Sequence, residues 1–331
     1  MRRMLKIAHC HSCAALPCIG SGDNARCETH FVEEFDHQVR LTIRRAGMIK
    51  PRERIVIALS GGKDSTVLLH RLAELRARLP MELFALLIDE GISGYRSKTI
   101  ATAKRECKKA EVKLTILSFR KEFGKSLDHI LNTRLPNAEG ACTYCGVLRR
   151  RLLEVGARRL KADKLALGHN LDDAAQTVLL NLYRNEPNRL MRFKAMSASE
   201  EGGERPSGDP VAGHPAFVPR IRPLFDLPEK EVALYAELKG YGISHQACPY
   251  AQEAMRQTVR TQLNEMEERY PGTKRRIAHA LARMQQKEEK TPPATQTLHR
   301  CSICREPTSE EKCAVCRLLE TIFDKKRRAK R

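Results

Sequence analysis

The chain has 331 residues, 41% of them hydrophobic and 30% charged, so a packed core is feasible and global disorder is excluded. Trp is absent and aromatics make up 5%, which leaves the core to Leu, Ile, Val and Ala, and no apolar run is long enough to span a bilayer. Sixty Lys and Arg against forty Asp and Glu give +20, which points to a polyanionic partner, nucleic acid before membrane.

The N-terminal MRRMLKIAHCHSC does not read as a signal peptide. Residues 10–30 hold Cys10-x2-Cys13 and Cys27-x2-His30, four ligands spaced for a tetrahedral zinc site, with His9, His11 and Cys18 as nearby competitors. Residues 31–50 carry a helical period through Phe31, Phe35, Val39 and Ile43. Arg54–Leu59 is a short apolar run that ends in Ser60-Gly61-Gly62, a buried strand entering a tight turn. Residues 65–79 resume the helical period.

Between that strand and that helix lies Ser60-Gly61-Gly62-Lys63-Asp64-Ser65. Glycines let backbone N–H groups approach an anion, and the helix N-terminus adds unpaired donors and the positive end of its dipole. Ser60 and Ser65 offer hydroxyls, Lys63 a cation, and Asp64 a carboxylate suited to Mg²⁺. The Walker A spacing is not met, and the plain alternative is a glycine turn capped by Ser.

The alternation continues with a strand at 83–88, a helix at 96–110 and a strand at 112–119. Cys142-Thr-Tyr-Cys145 opens a very basic helix at 144–161, a strand at 164–167 enters Gly168-His169-Asn170, and a helix covers 172–183. Strands alternating with helices imply an α/β fold, a doubly wound, Rossmann-like parallel sheet. The Gly-, Ser- and Pro-rich stretch 197–215 reads as a mobile surface loop, and helices are expected at 228–240, 251–269 and 273–290. Thr291-Pro-Pro breaks the chain before Cys301-x2-Cys304-x8-Cys313-x2-Cys316, four thiolates spaced for a second zinc site, and a basic tail. The expected division is a zinc finger at 1–31, a catalytic domain at 32–250, a helical segment at 251–293, and a second finger with the tail at 294–331.

Cys142, Cys145 and Cys248 are three thiols, one short of a closed zinc site. Read as residues alone, they fit a three-Cys [4Fe–4S] cluster with one iron open, a redox dithiol plus a stray Cys, or three unrelated buried thiols. Assigning three sites leaves Cys18 and Cys107 over, the latter a small core residue of its helix. Arg149, Arg150, Arg151, Arg158 and Arg159, with Arg184, Arg189, Arg192 and Lys194, read as phosphate contacts or as a solvated face.

SGGKDS after IVIAL resembles the PP-loop of the ATP pyrophosphatase superfamily. CTYCGVLRR, GHNLDDAAQTVLLNLYR and ACPYAQEAMRQTVRTQLNEMEERYPGTK, with both end modules, resemble the tRNA 2-thiouridine synthetase family (the TtuA and NcsA group) along nearly the whole chain. The resemblance implies that Ser60–Ser65 hold ATP phosphates with Mg²⁺, that Gly168 and Asp173 belong to the same site, and that Ile88-Asp89 lies near the adenosine. His169 and Asp172 have an alternative as turn and cap residues. It implies that Cys142, Cys145 and Cys248 ligate a [4Fe–4S] cluster or carry a persulfide, and that both end modules bind Zn²⁺. One branch of the family has a catalytic Lys four residues after the second Cys; here, as in the other branch, it is Arg149, which cannot serve as a proton-transfer base. The implied reaction is 2-thiolation of a tRNA uridine: O2 is adenylated, pyrophosphate leaves, cluster-bound sulfide attacks C2 and AMP departs. Position 34 or 54 stays open. A ubiquitin-like carrier or inorganic sulfide would supply sulfur to a cytoplasmic homodimer. A 2-thiocytidine synthetase and a zinc-containing tRNA-binding adaptor are the alternatives.

Overall fold

A computed structural model describes residues 9–20, 24–134, 139–197, 217–244, 246–251, 254–288 and 299–323. Helix α1 (Glu28–Arg45) leads into β1 (Arg54–Ala58), α2 (Lys63–Leu75), β2 (Glu82–Asp89), α3 (Arg96–Lys109) and β3 (Lys113–Ser118). Two short helices, α4 (Phe119–Phe123) and α5 (Leu127–Thr133), precede α6 (Ala141–Arg159), β4 (Lys164–Ala166), α7 (Leu171–Tyr183) and α8 (Pro187–Met191). Then come β5 (Arg220–Ile221), α9 (Glu229–Leu238), α10 (Met255–Arg269), α11 (Thr273–Glu288), the β6 (His299–Arg300) and β7 (Pro307–Thr308) hairpin, and α12 (Ala314–Phe323). Nearly all of the expected 197–215 loop, the Thr291-Pro-Pro break and the basic tail lie outside the described residues.

The five long-sheet strands run parallel in the order β3-β2-β1-β4-β5. Side chains alternate across it with the period of two that a pleated strand imposes. Ile55, Ile57, Ala85 and Leu87 join α1, α2, α3 and α9 in one core, while Val56, Leu86 and Ile88 join α5, α6 and α12 in the other. Both faces are thus covered, as the near-continuous apolar strands require. Phe35 of α1 stacks on Tyr235 of α9 at 4.0 Å, and the Tyr235 hydroxyl donates to Asp36 at 2.8 Å. On the other face α12 lies on α6, and Cys301, Cys313 and Cys316 are part of the same buried cluster as Leu148 and Leu152.

From β1 the chain winds outward through β2 to β3, then returns to the other side of β1 as β4. Ile57 pairs with Ala85 on one side and Ala166 on the other. This is the topological switch point, where the loops after β1 and β4 diverge and leave a crevice at the strand C-termini. Helices α10 and α11 pack on α7 through Ala175, Leu180, Val259, Leu263 and Ala278.

Candidate active site

The loop after β1 is Ser60–Ser65. Gly61 takes φ +84, and a Cβ on it would sit 2.4 Å from the Thr99 carbonyl oxygen, so only glycine fits this turn. The two serine hydroxyls lie 3.0 Å apart, and Ser65 Oγ accepts from Ser60 N–H at 3.1 Å while donating to Gly62 O at 3.1 Å. Helix α2 has Gly62 as its N-cap residue and no side-chain cap, so its first N–H groups are available to an anion.

The loop after β4 meets it directly. A Cβ on Gly168 would lie 3.0 Å from Asp64 C and from Ser65 N. Asn170 caps α7 by accepting from Asp173 N–H at 3.0 Å, and its own amide donates to Asp64 Oδ1 at 2.9 Å. Lys63 Nζ is held between Asp64 Oδ2 at 3.1 Å and Glu229 Oε1 at 2.6 Å. Arg260 reaches the same Glu229 oxygen at 2.9 Å. Burial raises the carboxyls of Asp64 and Asp173; Asp173 reaches about 6, with the Asp64 charge adding to the push and Arg256 opposing it.

Asp172 has the structural role. It is buried, accepts from Glu229 N–H at 2.7 Å at the start of α9, and pairs with Lys274 of α11. His169 accepts at Nδ1 from Arg222 Nε at 3.3 Å, and burial beside Arg222 holds it neutral, down to about 3. It therefore cannot act as a proton donor by titrating near pH 7.

The cysteine side of the crevice lies close by. Cys142 and Cys145 stand in the first turns of α6, and Cys142 Sγ points at the Tyr250 carbonyl oxygen, 3.8 Å away, two residues past Cys248. Cys145, Cys248 and Tyr250 pack on one apolar cluster. The three sulfurs are not within the 4.8 Å span of the groups suited to a single ion. Asp128 ties the Cys248 turn down, accepting from Tyr250 Oη and from Ser93 N–H, both at 2.8 Å.

Two routes join thiols to loop. Ser60 O accepts from Arg96 at 3.3 Å, Arg96 Nε pairs with Glu90 at 2.8 Å, and the other Glu90 oxygen lies 3.7 Å from Arg149 of α6. The segment around Cys248 is pinned at both ends: Ser244 N–H donates to Gly61 O at 3.3 Å, and Arg256 lies 3.5 Å from Asp173. Arg96 also bonds the Ile88 carbonyl, so the end of β2 borders the same crevice.

The terminal clusters each bring four ligand atoms within 4.8 Å of one another: Cys10, Cys13, Cys27 and His30, and Cys301, Cys304, Cys313 and Cys316. Both could hold a metal ion. Cys18 is exposed and outside the first set, and Cys107 is a buried core residue. Three arginines of the basic helix find partners within the chain. Arg151 bonds the sulfurs of Cys304 and Cys313 and pairs with Glu306, Arg158 pairs with Glu306, and Arg159 pairs with Glu122 at 2.7 Å. Arg151 and Arg158 are thus engaged within the chain, while Arg159 is paired but remains exposed. Sequence reasoning also passed over Asn170, Glu229, Glu90, Asp128 and Arg256. Asn170 alone had a local signal, the N-x-x-D pattern of a capping box.

A switch-point crevice with a glycine turn on α2 and an Asn-capped second loop defines a PP-loop nucleotide-binding protein, and the PP-loop domain family matches residues 28–267. The chain is 38% identical to the tRNA 2-thiolation protein NcsA of Haloferax volcanii, over 89% of this chain and 92% of that protein. It is 34% identical to the cytoplasmic tRNA 2-thiolation protein 1 of Bos taurus, over 95% and 87%. Its fold matches the U34-tRNA thiolase NcsA from Methanococcus maripaludis, solved with its [4Fe–4S] cluster, at a TM-score of 0.77 and 30% identity, covering 95% and 96% of the two chains. The chain belongs to the PP-loop family and, within it, to the NcsA-like tRNA 2-thiolation proteins.

Proposed function

We propose that this protein is a cytoplasmic, ATP-dependent tRNA-uridine 2-sulfurtransferase acting on uridine 34, the nucleotide named for its Methanococcus relative. One observation carries the reading. Ser244 and Arg256, which flank Cys248 in the chain, reach Gly61 and Asp173, and this supports a crevice shared by the thiols and the nucleotide loop.

In this reading Ser60–Ser65 and the start of α2 cradle the ATP phosphates. Lys63 exchanges its carboxylate partners for phosphate oxygens. Asp64 and Asp173, the charge of the first raising the second, would hold the Mg²⁺ that accompanies the nucleotide. Uridine O2 attacks the α-phosphorus and pyrophosphate leaves; hydrosulfide then adds to C2, the C2–O2 bond breaks with AMP as leaving group, and the proton carried in on sulfur is released. The carbonyl oxygen must be adenylated because it is otherwise a poor leaving group. The protein's contribution is in-line positioning and neutralisation of phosphate charge. Arg149, permanently charged, acts electrostatically beside Cys145 and Glu90.

The cysteine set suits a cluster: three thiols from two segments, too widely placed for one ion, leave one iron of a cubane without a protein ligand. Held by Cys142, Cys145 and Cys248, a [4Fe–4S] cluster would supply an iron open to sulfide. Both terminal sets suit structural Zn²⁺ by ligand type and closeness. Sulfide or a thiocarboxylated ubiquitin-like carrier is the sulfur source, and the working form is a homodimer.

The test is anaerobic purification followed by metal analysis and turnover. About four iron and about two zinc per chain are expected, with pyrophosphate released only when ATP and tRNA are both present. Lys63→Ala should abolish both pyrophosphate release and 2-thiouridine in vivo. Loss of 2-thiocytidine instead would establish the neighbouring activity, and full thiolation by Lys63→Ala would overturn the catalytic reading.

A further inference from the structure

The C-terminal four-thiolate set reads from sequence as an appended zinc finger. Its surroundings differ. Cys301, Cys313 and Cys316 are buried, at 0%, 6% and 6% exposure. Val315, Leu318 and Ile322 of the same module share a core with Leu148 and Leu152 of α6. Arg151, only 14% exposed, sends one guanidinium nitrogen to two sulfurs, 3.2 Å to Cys304 and 3.1 Å to Cys313. Its other terminal nitrogen pairs with Glu306 at 2.8 Å, and Arg158, two turns along, joins the same carboxylate.

Four thiolates around a divalent ion leave a net double negative charge, and buried charge needs a counter-charge. Arg151 is placed to supply it from α6, the helix that also carries Cys142 and Cys145. Two residues earlier, Arg149 points away from the module toward Glu90. Successive helical residues turn by about 100°, so these two arginines occupy opposite sides of α6. One side reaches toward the thiol crevice and the other grips the module.

Resting on the zinc reading of that module, we propose that Arg151 is a positioning residue. It binds the metal-loaded module to α6 as a brace, so that metal occupancy at Cys301, Cys304, Cys313 and Cys316 sets the order of the helix presenting Cys142 and Cys145.

The experiment follows zinc release from the full-length, anaerobically purified protein to a chromophoric chelator, with hydrogen exchange of the 141–159 segment read in parallel. Arg151→Met keeps the packing stem and removes the donors. It should release one zinc equivalent about tenfold faster, the usual scale for an outer-shell partner of a metal site. The N-terminal equivalent should leave at the wild-type rate, which makes it the internal control. Arg151→Lys should recover part of the retention, because it restores the charge without the fork. Exchange in 141–159 should rise as the C-terminal zinc leaves. Unchanged release from Arg151→Met overturns the proposal. So does equal acceleration of both equivalents, which would be general destabilisation, or α6 exchange that ignores zinc loss. The zinc reading fails separately: a zinc count unaltered by Cys304→Ser overturns that reading and the brace with it.

Discussion

Asn170 and Asp64 stand 106 residues apart in the chain, and the Asn170 amide donates to the Asp64 carboxylate at 2.9 Å. The same Asn170 closes a reciprocal cap with Asp173 at the start of α7. One side chain thus fixes a helix end and orients a carboxylate of the opposing loop. Asn170→Ala removes a cap worth about 1 kcal/mol and frees Asp64 from its partner. The expected result is a small loss of melting temperature, about 2–4 °C, with a much larger loss of pyrophosphate release. Asn170→Asp keeps the cap acceptor but sets a carboxylate against Asp64. It should hold the melting temperature better than alanine does while leaving ATP turnover impaired. Equal loss of both quantities in both variants would reduce Asn170 to a capping residue.

Gly61→Ala should disable the nucleotide loop. Its added methyl would meet backbone, the Thr99 carbonyl at 2.4 Å, in a φ +84 conformation that L-residues avoid. Gly47 supplies the control: it has φ +56 but nothing within 4 Å of a Cβ, so Gly47→Ala costs only backbone strain of about 1 kcal/mol. ATP with Mg²⁺ should raise the melting temperature of wild type and Gly47→Ala and leave Gly61→Ala unmoved. A normal ATP-induced shift in Gly61→Ala would contradict the loop assignment.

The two nucleotide loops were legible in the sequence because their signals are local. An apolar run, glycines and a helical period sit within a few residues of one another, and SGGKDS and GHNLDD end neighbouring strands. The sheet followed from the strand–helix alternation. The four-Cys spacing was legible for the same reason, since each ligand pair is a knuckle of four residues. The arginines of α6 were not. Arg151 finds Cys304 and Cys313 more than 150 residues away, and a run of like charges shows nothing of distant partners. Glu90, Asp128 and Glu229 were missed because each works through a long-range pair: Glu90 with Arg96 and Arg149, Asp128 with Tyr250, Glu229 with Lys63. Lone carboxylates carry no motif.

Asp173 makes a pH prediction with a definite sign. Its folded value of about 6 lies above the ordinary 3.8, chiefly through burial, so the native state favours its proton. Its contribution to stability is full below about 4, is lost as pH rises toward 6, and stays absent above that. In metal-free, nucleotide-free protein, Asp173→Asn should therefore gain stability relative to wild type as pH rises from 4.5 to 7, with the two curves parallel beyond. Mg²⁺ competes with the same proton, so the ATP–Mg²⁺ affinity of wild type should fall as pH drops through 6, and the fall should be shallower in Asp173→Asn, where only protonation of the nucleotide's own phosphate remains. Thermal melts and nucleotide titrations across this range decide it. A wild-type-minus-variant difference that does not change between pH 4.5 and 7 would place the Asp173 proton elsewhere.

Tyr250→Phe isolates the placement of the third thiol. The Tyr250 hydroxyl donates to Asp128, whose other oxygen accepts from Ser93 on the loop after β2, so the Cys248 turn is tied to the sheet through one carboxylate. Removing the hydroxyl leaves the ring packed on its apolar neighbours and keeps Asp128 bonded to Ser93. A hydrogen bond to a charged group contributes about 1.5–3 kcal/mol, enough to loosen the turn without unfolding a domain of this size. Iron content after anaerobic reconstitution should fall well below that of wild type. Zinc content and ATP binding should hold, because neither terminal metal set nor the glycine loop touches this bond. Asp128→Ala cuts both attachments and should lose more iron than Tyr250→Phe. If both variants retain iron at the wild-type level through exposure to a chelator, the Asp128 tie does not govern how Cys248 meets Cys142 and Cys145.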